Sequence, residues 1–161
     1  MIKVQTEDFD VGREMESLSR GNHAVGGVCC FIGIVRDMVG AKEIAAMTLE
    51  HYPAMTEKAL AKIEAEARGR WPLEDTLIIH RYGRLEPGDR IVMVATAAGH
   101  RQAAIEACHF LIDWLKTEAP FWKREETPDG GQWVDARGSD DAAAARWIAG
   151  QPRVRKPDAA E

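Results

Sequence analysis

Apolar residues recur along the chain either at every second position or at three- and four-residue spacing, and these two rhythms mark out the elements. Ile2 and Val4 alternate with Lys3 and Gln5, which predicts a short first strand. Val11, Met15 and Leu18 have helical spacing across residues 10–18, and Gly21 with Asn22 breaks the run. Residues 26–35 are a long apolar stretch rich in β-branched side chains, which predicts a buried strand. Gly33 within it has nothing to pack, so it marks a bulge or a close approach of backbone or ligand. Residues 38–42 read as a loop. Residues 44–51 alternate, with Ala45, Met47 and Leu49 on one face and Thr48 and Glu50 on the other, as in a half-buried strand.

Pro53 suits the first turn of a helix, and Met55, Ala59, Ile63 and Ala67 supply its apolar stripe as far as Arg68. Residues 76–82 and 89–97 predict two more strands. Leu85-Glu86-Pro87-Gly88 between them places proline second and glycine third, as a turn does. A further helix runs from His100 to about Thr117, with Ala104, Cys108, Leu111 and Leu115 buried and the stripe widened by Ala107 and Trp114. Pro120 stops the pattern, which puts Lys116 in the last turn and Lys123 beyond a stiff corner. Residues 132–135 predict a short strand, and Ser139 caps a helix that continues through residue 149. The order of elements is mixed, which indicates an α+β fold. Residues 1–147 are expected to form a single domain, and residues 148–161, with two prolines and no apolar period, a mobile tail.

Composition narrows the classes. A formal net charge of −5 argues against non-specific nucleic-acid binding, which needs a basic surface. No apolar run reaches the ~18 residues of a membrane span, and the first residues lack a signal-peptide core. Three cysteines, two of them adjacent, do not suggest a disulfide framework, and a reduced, cytoplasmic setting follows.

Candidate chemistry centres on Lys116 and Lys123, with Phe121 and Trp122 between them. Two ammonium groups held close among apolar neighbours disfavour each other's charge and yield a better base or nucleophile. The competing reading is a helix C-terminus whose cations complement the macrodipole. His100 and Arg101 sit at a strand-to-helix junction, where main-chain N–H groups favour an anion; Arg101 alternatively pairs with a surface carboxylate. Arg36, at the end of the apolar strand, is either a second anion ligand or a partner of Asp37. Cys29 and Cys30 point to opposite faces of a strand and Cys108 lies on a helix stripe, so the three read as buried, inert thiols rather than a metal or redox centre. His23, His51, His80 and His109 have no metal-site spacing and read as structural, with His51 also placed to lie near a site. Phosphate-loop, dinucleotide and serine-hydrolase motifs are missing.

Several segments, in order, resemble the catalytic (large) subunit of molybdopterin synthase. They are Phe31-Ile-Gly-Ile-Val-Arg36, the run Leu49 to Leu60, His80-Arg-Tyr-Gly83, Pro87-Gly-Asp89, His100-Arg101, Leu115-Lys-Thr-Glu-Ala-Pro-Phe-Trp-Lys-Arg-Glu125 and Trp133-Val-Asp-Ala-Arg137. The resemblance spans about residues 25–147 and implies an α/β-hammerhead type fold, a homodimer within a heterotetramer, and no metal or other cofactor in the step. It implies a partner, a small ubiquitin-like sulfur carrier ending in a Gly-Gly thiocarboxylate, and a substrate, cyclic pyranopterin monophosphate, which gains two sulfurs to become molybdopterin. Matching positions make Lys116 and Lys123 catalytic. They place Ile34, Val35, Arg36, His100, Arg101, Arg124 and Glu125 in contact with substrate, His100 and Arg101 by way of the neighbouring subunit. The segment after Trp147 is longer and more basic than the family core requires. A rival from another class is a non-catalytic module that docks a ubiquitin-like partner or a phosphorylated pterin.

Overall fold

The computed structural model describes residues 1–39, 42–43, 45–128, 130–134 and 146–147. Its first half runs β1 (Ile2–Gln5), α1 (Val11–Ser19), β2 (Gly27–Ile34), β3 (Met38–Val39), β4 (Lys42–Glu43), β5 (Ala46–His51) and α2 (Pro53–Arg70). The second half runs β6 (Leu73–Arg81), β7 (Gly83–Leu85), β8 (Arg90–Ala98), α3 (Arg101–Thr117), β9 (Phe121–Thr127) and β10 (Gly130–Val134). The α+β class expected from the order of elements is what the structure has.

One four-stranded sheet has the order β1-β6-β8-β2, with β1 parallel to β6 and the other pairs antiparallel. Alternate residues of its central strands serve opposite faces. Ile78 and Val94 pack with Leu60, Ile63, Phe110 and Leu111 under α2 and α3. Leu77, Ile79, Met93 and Ala95 pack with Phe9 and Leu18 on the α1 side. With both faces covered, β8 and residues 77–79 of β6 read as apolar runs. Small residues at Ala98, Ala103, Ala104 and Ala107, all at most 5% exposed, let α3 lie close on the sheet. There the Thr96 hydroxyl donates to the Ala104 carbonyl at 2.7 Å.

A second sheet, β10-β9-β5-β7, is antiparallel throughout. Val35, Met47, Leu49 and Leu85 form a small core at its seam with the first sheet, joined by Tyr82, Ile91 and Phe121.

Six elements differ from the pattern-based expectation. The stretch expected as a loop over 38–42 contains the two-residue strands β3 and β4, paired as a ribbon. β7 and β9 were hidden, β7 by its length and β9 by its charges. In α2 the buried residues are Thr56, Leu60, Ile63 and Ala67, while Met55 is 50% exposed. Steps of four residues overshoot a helical turn by about 40° each, so a stripe traced back from Ala67 in fours leaves the buried face. In β5 Ala46, not Ala45, is the fully buried alanine.

The end of α3 falls at Thr117 as Pro120 requires, with the Glu118 N–H bonded to the Trp114 carbonyl at 2.8 Å. Apart from residues 146–147, the helix expected over 139–149 and the tail lie outside the described residues. Trp147 is described: its indole donates to Asp113 Oδ2 at 2.7 Å and it packs edge-on against Trp71 and Phe110.

Candidate active site

Between the two sheets and the end of α3 lies a cavity of about 510 Å³. That volume is in the ordinary range for a small-molecule site. Arg36 enters from the end of β2, Lys116 from the last turn of α3, and Lys123 and Glu125 from β9. Ile34 and Val35 also line it. Six of the residues expected to act together therefore meet here.

Local structure explains the convergence. Val92 stands opposite Gly33, but Arg90 stands opposite Ile34, so Ile91 is an extra residue bulged out of β8. A bulge re-aims the strand that follows it. The Val35 N–H then bonds to the Asp89 carbonyl at 2.9 Å, which buries Val35 and leaves Arg36 exposed just beyond. Gly33 is the close approach its sequence position suggested, since a Cβ there would lie 2.6 Å from Val92 Cγ1 and 3.2 Å from Ile91 Cγ2. Gly33→Ala is expected to force Val92 off its rotamer at a cost of about 1–3 kcal/mol and to fill the cavity floor. Thermal unfolding and ligand binding would both register it.

The alternation of β9 puts Phe121, Lys123 and Glu125 on the cavity face and Trp122 and Arg124 on the other. Lys123 Nζ lies 2.5 Å from Glu125 Oε1, and Glu125 is 5% exposed. The bare pair of ammonium groups expected from the sequence is thus a three-group array, Lys116, Lys123 and a buried carboxylate.

Three expected residues are not in this cavity. His100 and Arg101 line a separate hollow with Gln102, Ile105 and Glu106 at the start of α3. At 1.5 Å rise per residue, Arg101 is roughly 22 Å along the helix from Lys116. Arg124 faces the other side of β9, its guanidinium lying over Gly131, where a Cβ would come within 2.6 Å of it.

One residue read as structural belongs to the site. His80 lines the cavity, stacked on Phe121 with ring centroids 3.8 Å apart and planes 14° from parallel. The available signal was a histidine on the same strand face as Ile78. Burial pushes the His80 imidazole down to about 4; the Arg81 carbonyl opposes this and nearby His51 adds to it. A histidine with a depressed folded pKa contributes stability that is present above about 6.5 and is lost as pH falls toward about 4. We expect wild-type stability to decline across that window by at most about 1.4 kcal/mol per pH unit more than His80→Phe does, measured by denaturant unfolding at each pH. Asp8, held near 2 chiefly by its bond to Arg90, adds its own slope only at the acid end of the window, where its unfolded form begins to protonate, and that slope is common to wild type and His80→Phe.

Cys29 and Cys108 lie against each other, but among the described residues no third metal-ligating side chain joins them. Cys29 packs toward α2 and α3 and Cys30 toward α1, while burial raises the pKa of both Cys30 and Cys108 and keeps them as thiols.

This fold and cavity define a small α+β domain that presents cations and a buried carboxylate to a cavity of small-molecule size. The MoaE protein family model matches residues 4–118, and the chain belongs to that family. A molybdopterin synthase catalytic subunit from Pseudomonas aeruginosa is 56% identical over 146 residues, which is 91% of this chain and 97% of that protein. Among solved structures, the molybdopterin biosynthesis MoaE protein from Burkholderia ambifaria has a TM-score of 0.80 at 57% identity, covering 93% of this chain and 99% of that one. Molybdopterin synthase from Staphylococcus aureus has a TM-score of 0.77 at 32% identity, covering 83% of this chain and 96% of that one.

Proposed function

We propose that the chain is the sulfur-transferring subunit of a molybdopterin synthase. A small ubiquitin-like carrier delivers its C-terminal thiocarboxylate to cyclic pyranopterin monophosphate in the cavity, and two carriers supply the two sulfurs of the dithiolene. The observation that carries this reading is the convergence of Arg36, Lys116, Lys123 and Glu125, from three separate elements, on one cavity.

Arg36 holds the substrate phosphate by charge-assisted hydrogen bonds. The exposed side chain of Ile34, 56% accessible at the rim, offers an apolar edge to the carrier's extended Gly-Gly tail. The thiocarboxylate sulfur attacks an oxygen-bearing substrate carbon beside the pterin and forms a C–S bond as that carbon's C–O bond breaks, the oxygen leaving as water or remaining on the phosphate, with the carrier left as an acyl group on the sulfur. Lys116 serves as acid/base and stabilises the charge that develops. Water then attacks the acyl carbon, releasing the carrier carboxylate and leaving a thiolate on the product. Lys123, held by Glu125, completes the cationic wall. His100 and Arg101, too far from Lys116 in one chain, act on the cavity of the neighbouring subunit of a homodimer, which with two carriers makes a heterotetramer.

The test is anaerobic mixing of the chain with thiocarboxylated carrier and precursor. The expected result is dithiolene product with two carrier carboxylates released per molecule. Binding of both ligands with no dithiolene would instead support the non-catalytic module.

A further inference from the structure

The floor of the cavity is a row of residues that face each other across the first sheet. His80 stands opposite Val92, and Val92 opposite Gly33. Directly opposed residues of antiparallel strands project to the same face. Since Gly33 adds no side chain, the row stays low, and His80 closes one end of it against Phe121.

The hydrogen bonding of His80 fixes its tautomer. Nδ1 lies 2.9 Å from the Arg81 carbonyl oxygen. A carbonyl only accepts, so Nδ1 carries the hydrogen and Nε2 keeps a lone pair. Among the described residues Nε2 has no hydrogen-bond partner. Burial keeps the ring neutral at pH 7.

The other charged side chains of the cavity do not duplicate this group. Arg36, Lys116 and Lys123 only donate, and the Glu125 carboxylate, paired with Lys123, is a charged acceptor whereas His80 Nε2 is a neutral one. A neutral acceptor beside an aromatic stack suits a flat heterocycle that carries N–H donors, which a reduced pterin is. We propose that His80 is a specificity-determining residue of this site, its Nε2 accepting a hydrogen bond from a ring N–H or amino group of the pterin. This rests on the substrate reading given above.

The test is anaerobic titration of cyclic pyranopterin monophosphate into the complex with unreactive, carboxylate-ended carrier. His80→Phe keeps the aromatic stack and removes the acceptor; His80→Gln restores an acceptor. His80→Phe is expected to bind the pterin about 10-fold more weakly, the loss of one neutral hydrogen bond. Carrier affinity should stay within about twofold and kcat at saturating pterin within about threefold, while His80→Gln recovers part of the pterin affinity. In wild type, the 15N resonance of His80 Nε2 should move upfield when pterin is added, a readout that needs no variant to fold. Unchanged pterin affinity in a folded His80→Phe, an unmoved Nε2 resonance at saturation, or weakened carrier binding with pterin binding intact would each overturn the assignment alone. Failure of the wild-type complex to bind the pterin at all would overturn the substrate reading and this assignment with it.

Discussion

Lys116→Ala is expected to lower the rate of dithiolene formation by ~10²–10⁴-fold, the usual contribution of a positioned acid/base group. Lys116 is exposed at the end of α3 and the described structure gives it no ion pair, so the same change should shift stability by no more than about 0.5 kcal/mol. Lys116→Arg separates two explanations of the loss. Arginine keeps the positive charge but does not give up its proton near neutral pH. Recovery of most of the rate in Lys116→Arg would reduce Lys116 to an electrostatic role, and near-normal turnover in Lys116→Ala would remove it from the chemistry.

Lys123→Met is expected to have the second largest effect, and in two observables at once. It leaves the Glu125 carboxylate, 5% exposed, without its partner at 2.5 Å. Breaking a fully buried pair costs about 3–5 kcal/mol, and because Lys123 is itself 32% exposed, about 1–3 kcal/mol is the discounted figure. For a chain of this size that lowers Tm by roughly 3–10 °C. Turnover should fall as well, because the cationic wall loses one of its members. Adding Glu125→Gln removes the stranded charge, so the double variant should regain most of the stability and little of the activity. A Lys123→Met protein as stable as wild type, or a double variant with restored turnover, would show that the pair plays neither part.

How far the sequence anticipates this site depends on what each residue is surrounded by. β2 and β8 of the first sheet are visible as apolar runs because helices cover both of their faces. α3 and its end at Pro120 are visible because an apolar stripe and a proline obey local rules. β9 was not legible as a strand, because the residues it turns inward, Phe121, Lys123 and Glu125, include two charges. Alternation is present there, but it is an alternation of position and not of hydrophobicity. The same feature that conceals the strand, charge on the inward face, is what makes it functional. β3, β4 and β7 are too short for any period to register.

The site residues divide in the same way. Lys116 and Lys123 stand out locally, on either side of a proline corner. Arg36 belongs with them only through the bulge at Ile91, a register event with no local sign beyond Gly33. His80 was passed over because a lone histidine in an apolar strand is normally a packed residue; its stacking partner, Phe121, comes from a distant strand. The grouping of His100 and Arg101 with the lysines came from family resemblance. A single chain leaves them at the far end of α3, in a hollow of their own.

The most direct measurement is a crystal structure of the complex with the carrier bound. The account predicts the carrier's C-terminal glycine inside the cavity, a carboxylate oxygen accepting a hydrogen bond from Lys116 Nζ at about 3 Å, with Arg36 and the partner's copy of the His-Arg pair facing the substrate position. A carrier terminus seated elsewhere, with Lys116 and Lys123 both turned to open solvent, would contradict it.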